Sequence, residues 1–179
     1  MQNNNGAVKH TGCVLCKTEV LEYPGGRVAE VQPMYKKALP TGVLPLITSP
    51  SDAMLVLKEV WDKGKFDYCE QMYALYLNGA HRVHAWSLIA EGSLKRCHIY
   101  PQKVLTLGLL TNSVGFILSH NHPSGSREIS NADKRLTERM VEAATLVGLR
   151  CLDHLVLSSL DDDEQPVSIL GHYPSLFDH

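Results

Sequence analysis

The sequence predicts a layered α/β domain, and three observations lead to that prediction. Segments in which apolar residues have helical spacing alternate along the chain with short segments typical of strands, the order expected when helices cover a sheet. Residues 114–118 (VGFIL) form a continuous apolar run, as in a buried central strand. Hydrophobic residues make up 44 % of the 179 residues and charged residues 20 %, a balance that supports a packed core.

The amino-terminal part is predicted to differ from the rest. Residues 1–26 look poorly structured and end in a Pro-Gly-Gly sequence. Residues 27–35 alternate weakly, and Pro33 among them favours an edge strand. We therefore assign 1–47 to a flexible tail with a lead-in strand and 48–179 to the folded domain.

The folded domain is predicted to begin with a helix and a strand pair. Ser49 is a suitable N-cap and Pro50 a suitable first helical residue, and Gly64 is expected to end the helix. Residues 70–77 have the bulky apolar composition of a strand. An Asn-Gly turn follows, and residues 83–90 are the expected antiparallel partner.

The second half is predicted to alternate between helices and strands. Pro101 begins a helix that runs to about residue 110, and the buried strand 114–118 follows. A helix over 131–147 ends at Gly148. Residues 151–157 and 167–170 are the last predicted strands.

Composition and charge make several classes of protein less consistent with this sequence than a soluble domain. The net charge is −2, which argues against a nucleic-acid partner without excluding one. Neither a signal peptide nor an apolar membrane span is apparent, so we expect a soluble, cytoplasmic protein with no membrane partner. The five scattered cysteines suggest reduced thiols, and the Cys13–Cys16 pair lacks the second pair that a zinc knuckle needs.

Two histidines follow the predicted buried strand. His120 and His122 are two residues apart, so in extended backbone their rings point to the same side while Asn121 points away. Neutral imidazole is a common zinc ligand. Pro123 and Gly125 are expected to turn the chain so that the next helix begins near the pair.

Ser130 and Asp133 admit two interpretations. An S-x-x-D sequence at a helix start resembles a capping box, which would only stabilise the helix end. Asp133 in the first turn could instead supply a carboxylate ligand. With the histidine pair upstream we favour a metal site, because three protein ligands and one open position are typical of catalytic zinc.

A catalytic zinc site also needs a carboxylate that moves the proton of the attacking water. Glu70, at the start of the first core strand, is the best candidate, although a surface charge at a strand end would look the same. Glu91 and Glu128 are the competing candidates.

The spacing of HxH, seven residues and SxxD resembles the motif of the JAMM (MPN+) zinc metalloprotease superfamily. The HNHPSG sequence at 120–125 and the later Asp153-His154 pair resemble its RadC-like branch, and the resemblance extends from about Ser49 to Leu170. It implies a three-layer α/β/α, cytidine-deaminase-like JAB/MPN domain with a mixed central sheet.

The resemblance also implies a function. It implies one zinc ion held by His120, His122 and Asp133, with Glu70 activating water. Ser130 would help to stabilise the oxyanion formed when a peptide or isopeptide bond is cut. It gives no role to Asp153 and His154, for which a buried supporting pair is as good an interpretation as catalysis.

The sequence departs from the RadC pattern in two respects. The turn after HPSG lacks the usual Asp and two prolines and reads SREIS at 126–130, so the loop could be more mobile or specific to another partner. The chain also leaves no room for the amino-terminal helix-hairpin-helix region of long RadC proteins, so we expect the DNA-repair label to carry little weight.

Other functions remain as alternatives. The fold could serve as a non-catalytic MPN-type interaction module, or the protein could be DNA-associated, as the RadC label suggests. A zinc deaminase is excluded because its HxE and PCxxC sequences are absent. The residues identify neither the substrate nor the oligomeric state, and they leave a homodimer open.

Overall fold

The computed structural model describes residues 15–23, 26–34, 43–92, 99–160 and 165–178. The chain divides into two compact units, Met1–Val43 and Leu44–His179. In the first unit β1 (Leu15–Tyr23) pairs antiparallel with β2 (Gly26–Met34).

The lead-in strand predicted for residues 27–35 is found as β2, but its partner β1 was not predicted. The sequence predicts poor structure up to about residue 26. The strand β1 differs from that prediction because it has adjacent apolar residues, Val20 and Leu21, and is recognisable as a strand only through its pairing with β2. Cys13 lies outside the described residues, and Cys16 lies within β1.

The second unit contains a five-stranded sheet with the order β4-β3-β5-β6-β7. Only β5 and β6 are parallel, so the sheet is mixed. The strands are β3 (Gln71–Leu77), β4 (Val83–Glu91), β5 (Gly115–Asn121), β6 (Arg150–Leu157) and β7 (Val167–Ser168). The helices are α1 (Pro50–Val60), α2 (Pro101–Leu110), α3 (Asn131–Leu146) and the short α4 (Ile169–His172), followed by a 3₁₀ turn at Pro174–Phe177.

The two faces of this sheet are covered by different helices. Apolar residues of α1, such as Leu57, pack with Leu75 and Ile117 on one face. Residues of α2 and α3, such as Val104 and Met140, form a second buried cluster on the other face. The predicted three-layer α/β/α arrangement with a mixed sheet is therefore confirmed.

Helix boundaries follow the capping residues. Ser49 caps α1 through a capping box with Asp52, and Pro50 is the first helical residue. Gly148 follows α3 in a left-handed conformation (φ 73°), which glycine adopts without steric cost. Helix α1 ends at Val60, earlier than predicted.

The predicted last strand over 167–170 was wrong in its second half. Only Val167 and Ser168 pair with β6, and the chain then turns into α4. The reason is that the Ser168 hydroxyl accepts a hydrogen bond from the Gly171 amide, which caps a helix start.

The parallel pairing of β5 and β6 positions the site. A parallel pair needs a crossover connection, and α3 fills it here. The helix therefore begins near the carboxyl end of β5, which is where ligands commonly bind in α/β sheets. Among the described helices, none has the length and apolar character that crossing a bilayer requires.

Candidate metal centre

Three side chains converge at the carboxyl end of β5. The Nε2 atoms of His120 and His122 are 3.0 Å apart. Asp133 Oδ1 lies 3.4 Å from Nε2 of His120, and Asp133 Oδ2 lies 4.0 Å from Nε2 of His122. One ligand atom from each of the three residues lies within 4.8 Å of the others, so this group could hold a metal ion.

Asp133 takes part in helix capping as well. Its Oδ2 accepts a hydrogen bond of 2.8 Å from the Ser130 backbone amide, while Ser130 Oγ accepts one of 3.1 Å from the Asp133 amide. The cap leaves Oδ1 facing His120, so capping and metal binding are compatible in one carboxylate. In this cap the hydroxyl oxygen of the exposed Ser130 acts only as an acceptor. The Ser130 hydroxyl proton can therefore still be donated to another group.

The orientation of His122 is fixed by the loop that follows it. Its Nδ1 lies 2.9 Å from the backbone carbonyl oxygen of Ser126. A carbonyl can only accept, so Nδ1 carries the proton and Nε2 presents a lone pair. Gly125, in a left-handed conformation (φ 72°), lets the loop fold back, and its amide donates to the His122 carbonyl at 2.8 Å.

His120 is buried, and burial lowers its pKa to about 4. The ring is therefore neutral at neutral pH, the form that binds metal. Two neutral imidazole nitrogens and one carboxylate oxygen are a donor set typical of zinc. The residues present therefore fit a zinc ion, with His122 lying at the edge of an open cavity.

That cavity has a volume of about 300 Å³ and is lined by Glu70, His122, Pro123 and Ser124. Met72 pairs with His120 across the antiparallel β3–β5 ladder, so Glu70, which directly precedes β3, lies level with His122. Burial is the main cause that raises the Glu70 pKa; the His122 charge lowers it and the Asp133 charge raises it. Glu70 is thus within electrostatic reach of His122 and Asp133.

The competing carboxylates lie in different environments. Glu91 forms an ion pair with Lys65, whose Nζ is 3.0 Å from both carboxylate oxygens, and accepts a hydrogen bond of 2.8 Å from Gln71. Glu128 is exposed in the loop between the histidines and α3. Of the three candidates, Glu70 is the one that lines the cavity beside His122.

Asn121 makes contacts that the sequence does not predict. As predicted, its side chain points away from the histidines, but on that side it holds the segment that carries Glu70. Its Oδ1 accepts a hydrogen bond of 2.6 Å from the Gln71 amide, and its Nδ2 donates to the carbonyl oxygens of Cys69, at 2.9 Å, and Phe66. The backbone is therefore held on both sides of Glu70 by one buried side chain.

Asp153 and His154 have separate supporting roles. The Asp153 carboxylate accepts hydrogen bonds from the His154 amide (2.7 Å), the Leu170 amide (3.1 Å) and the Ser168 hydroxyl (2.6 Å), which ties β6 to the start of α4. The His154 ring is fully buried, and its Nε2 lies 2.8 Å from Nδ1 of His120. Asp153 is therefore structural, whereas His154 directly contacts a candidate ligand.

The loop that lacks the usual prolines is held by other contacts. Arg127 Nη2 donates to the Gln165 carbonyl at 2.9 Å, and Arg127 Nη1 donates to Ser158 Oγ at 3.4 Å. Ile129 packs against the small apolar cluster around Val156. Contacts to the segment after β6 thus anchor the loop in the structure.

Comparison with known proteins identifies relatives of this chain. A family model of RadC-like JAB domains matches residues 47–171. A UPF0758 protein of Vibrio parahaemolyticus is 39 % identical over 112 residues, which cover 62 % of this chain and 48 % of the relative. A UPF0758 protein of Aliivibrio fischeri strain MJ11 is 41 % identical over 88 residues, or 49 % of this chain and 39 % of the relative. The aligned part thus spans about half the length of the first curated relative and 39 % of the length of the second.

Proposed function

This chain belongs to the family of RadC-like JAB domains, and from that membership we propose that it is a zinc-dependent hydrolase of peptide or isopeptide bonds. The observation that carries the proposal is the convergence of His120, His122 and Asp133 beside a cavity that Glu70 lines. The amide nature of the substrate rests on the resemblance to the JAMM superfamily.

The proposed ligands are Nε2 of His120, Nε2 of His122 and Oδ1 of Asp133. Zinc bound by these atoms would supply Lewis acidity that makes water a nucleophile at neutral pH. The ligand geometry supports this assignment because the His122 tautomer already leaves its Nε2 lone pair free.

Glu70 is the proposed general base. Its carboxylate would take a proton from the attacking water in the cavity and pass it to the leaving nitrogen of the amide. The raised pKa of Glu70 favours this role, because a base that ionises nearer to neutral pH also returns the proton more readily.

Ser130 is the proposed oxyanion donor. Its hydroxyl proton, which the helix cap leaves free, would be donated to the oxygen on which charge develops. Preorganised donors of this kind stabilise the transition state because they need no reorientation as the charge forms.

The experiment that tests this proposal is elemental analysis of the purified protein beside a His120→Ala/His122→Ala variant. We expect about one zinc per wild-type chain and none in the variant. Wild type and Glu70→Gln are then assayed on peptides and isopeptide-linked conjugates. We expect hydrolysis only by wild type.

Other outcomes would support the alternatives. A wild type that takes up no zinc when it is offered under reducing conditions would contradict the proposal and favour a non-catalytic interaction module. Salt-sensitive binding of DNA would indicate the DNA-associated function instead.

A further inference from the structure

A chain of three hydrogen bonds joins one candidate ligand to another through the interior. His120 Nδ1 lies 2.8 Å from His154 Nε2, and His154 Nδ1 lies 2.7 Å from the Thr137 hydroxyl. That hydroxyl also lies 2.7 Å from the backbone carbonyl oxygen of Asp133. Residues of β5, β6 and α3 are thus connected in a relay that begins at His120 and ends at Asp133.

The direction of the relay follows from its last member. The Asp133 carbonyl can only accept, so the Thr137 hydroxyl must donate its single proton to it. The Thr137 oxygen can then only accept from His154, which places the His154 proton on Nδ1 and a lone pair on Nε2. That lone pair accepts from His120, whose proton is therefore on Nδ1.

The consequence concerns the atom that faces the metal. A neutral His120 has one ring proton, and with that proton on Nδ1 its Nε2 presents a lone pair toward Nε2 of His122, 3.0 Å away. The other tautomer would place a proton between these two nitrogens, in competition with a metal ion. The two tautomers hold equal numbers of protons, so the choice between them depends on hydrogen bonding and not on pH.

The burial of the relay explains why it can control the tautomer. Thr137 and His154 are both fully buried. With one proton on each ring, each buried N–H needs a partner because an unpaired one is costly. A metal-ligating histidine commonly donates its second N–H to a carboxylate or a carbonyl; here the acceptor is another histidine, which itself must be held in one tautomer.

We propose that Thr137 and His154 are positioning residues that hold His120 in its metal-binding tautomer. This inference rests on the proposed metal site, and neither residue is assigned any contact with substrate. The relay also makes the backbone of one ligand, Asp133, the anchor for the ring of another, His120.

The first test compares isosteric variants of Thr137. Thr137→Val removes the hydroxyl while keeping the shape, and Thr137→Ser keeps the hydroxyl. Zinc affinity is measured by competition with a chromophoric chelator. We expect Thr137→Val to bind zinc about 10- to 100-fold more weakly than wild type, the range found when outer-shell partners are removed. Equal affinities of the Val and Ser variants would overturn the inference.

A second pair of variants tests His154. In His154→Gln, the amide oxygen can accept the His120 Nδ1 proton, so we expect nearly wild-type zinc affinity. His154→Leu removes the acceptor, and we expect an affinity loss similar to that of Thr137→Val. If the Gln variant bound zinc as weakly as the Leu variant, the hydrogen bond from His120 would not be the operative contact. If His154→Leu fails to fold, the comparison of Thr137→Val with Thr137→Ser still tests the inference.

The ring tautomers are read directly by ¹⁵N NMR of the zinc-free protein. We expect protonated Nδ1 and unprotonated Nε2 in both His120 and His154, and a shift toward protonated Nε2 in Thr137→Val. A merely structural threonine would leave these signals unchanged. Protonated Nε2 of His120 in wild type would overturn the inference even if zinc binds, whereas absence of zinc binding by wild type would instead contradict the proposed function.

Discussion

The two faces of the central sheet support the candidate site in different ways. On the face covered by α2 and α3, the metal face, His120 is held by a ring contact that leads through His154 to α3. On the face covered by α1, the base face, Asn121 holds the backbone on both sides of Glu70. His120 and Asn121 are neighbours in β5, yet one belongs to the candidate metal centre and the other holds the segment that carries Glu70.

Under the proposed function, this difference separates the contacts that affect zinc binding from the contacts that affect the reaction. Contacts on the metal face determine how the ligands are presented and should mainly change zinc affinity. Contacts on the base face determine where the Glu70 carboxylate lies and should mainly change turnover of the zinc-loaded protein. The following variants test this separation.

The largest effect is expected on the metal face, from His122→Ala. It removes one of the three proposed ligands, so we expect loss of zinc and of the proposed hydrolysis, measured by elemental analysis and a substrate assay. His172→Ala is a matched control, because His172 Nδ1 also donates to a backbone carbonyl but is exposed in α4. Full zinc content in His122→Ala would contradict the ligand assignment.

The second effect is expected on the base face, from Glu70→Gln. Loss of a general base typically lowers the rate by about 10²- to 10⁴-fold. We expect a fall in kcat of that size with one zinc per chain retained. Glu91→Gln changes the contacts of that side chain with Lys65 and Gln71 and should leave the rate near that of wild type. Release of zinc by Glu70→Gln would mean that Glu70 is itself a ligand.

Asn121→Ala should have a smaller effect on the rate and a clear effect on stability. It leaves the Gln71 amide and the Cys69 carbonyl without their partner, and each unpaired buried group costs about 1–3 kcal/mol. We expect zinc to be retained while kcat falls about 10- to 100-fold, because a displaced base reacts poorly. The measurements are denaturant unfolding, zinc content and kcat.

Ser119→Ala is the control for this variant. Ser119 is also buried in β5, and its hydroxyl has no hydrogen-bond partner within the part of the chain that the structure describes. Its removal should leave stability unchanged or slightly higher. If Ser119→Ala and Asn121→Ala lost equal stability, the hydrogen bonds of Asn121 would not be what holds the Glu70 segment.

The smallest expected effect is a pH dependence of stability. Burial raises the Glu70 pKa in the folded protein, so between the unfolded value of about 4.3 and the folded value the folded state binds more protons. Stability contributed at this site therefore falls as pH rises through that window and is constant above it. Thermal unfolding of the zinc-free proteins should show Glu70→Gln gaining stability relative to wild type as the pH rises from the unfolded value of about 4.3 to the raised folded value. A constant difference would contradict the raised pKa.

Where the signal is short-range, local sequence patterns predicted the helices and strands, and they indicated three side chains that converge in the structure. Ser49 and Pro50 predicted the start of α1. The spacing of HxH and SxxD indicated His120, His122 and Asp133, which converge in the structure. From the sequence, the helix cap and the metal ligand are alternative interpretations of SxxD. In the structure the cap is present and one Asp133 oxygen still faces His120, so the two roles are compatible.

A supporting role was one of two interpretations of Asp153 and His154, but the partners of the supporting residues were not predictable because they lie far away in the sequence. Asn121 is 50 residues from Gln71, and His154 is 34 residues from His120. Thr137 looks like an ordinary helical residue, and its importance arises only when β6 is placed beside α3. Similarly, β1 has adjacent apolar residues, so only its pairing with β2 identifies it as a strand.

Residues 126–130 lack the two prolines of the RadC pattern, so contacts with another part of the chain must hold this loop in place. Proline restricts the unfolded chain and so lowers the conformational entropy lost on folding, and this effect needs no contact with another segment. The ties from Arg127 to Ser158 and Gln165 exist only while the segment after β6 stays docked. Brief local opening of that distant segment would therefore free one wall of the cavity, and amide hydrogen exchange in both stretches should follow a common opening equilibrium.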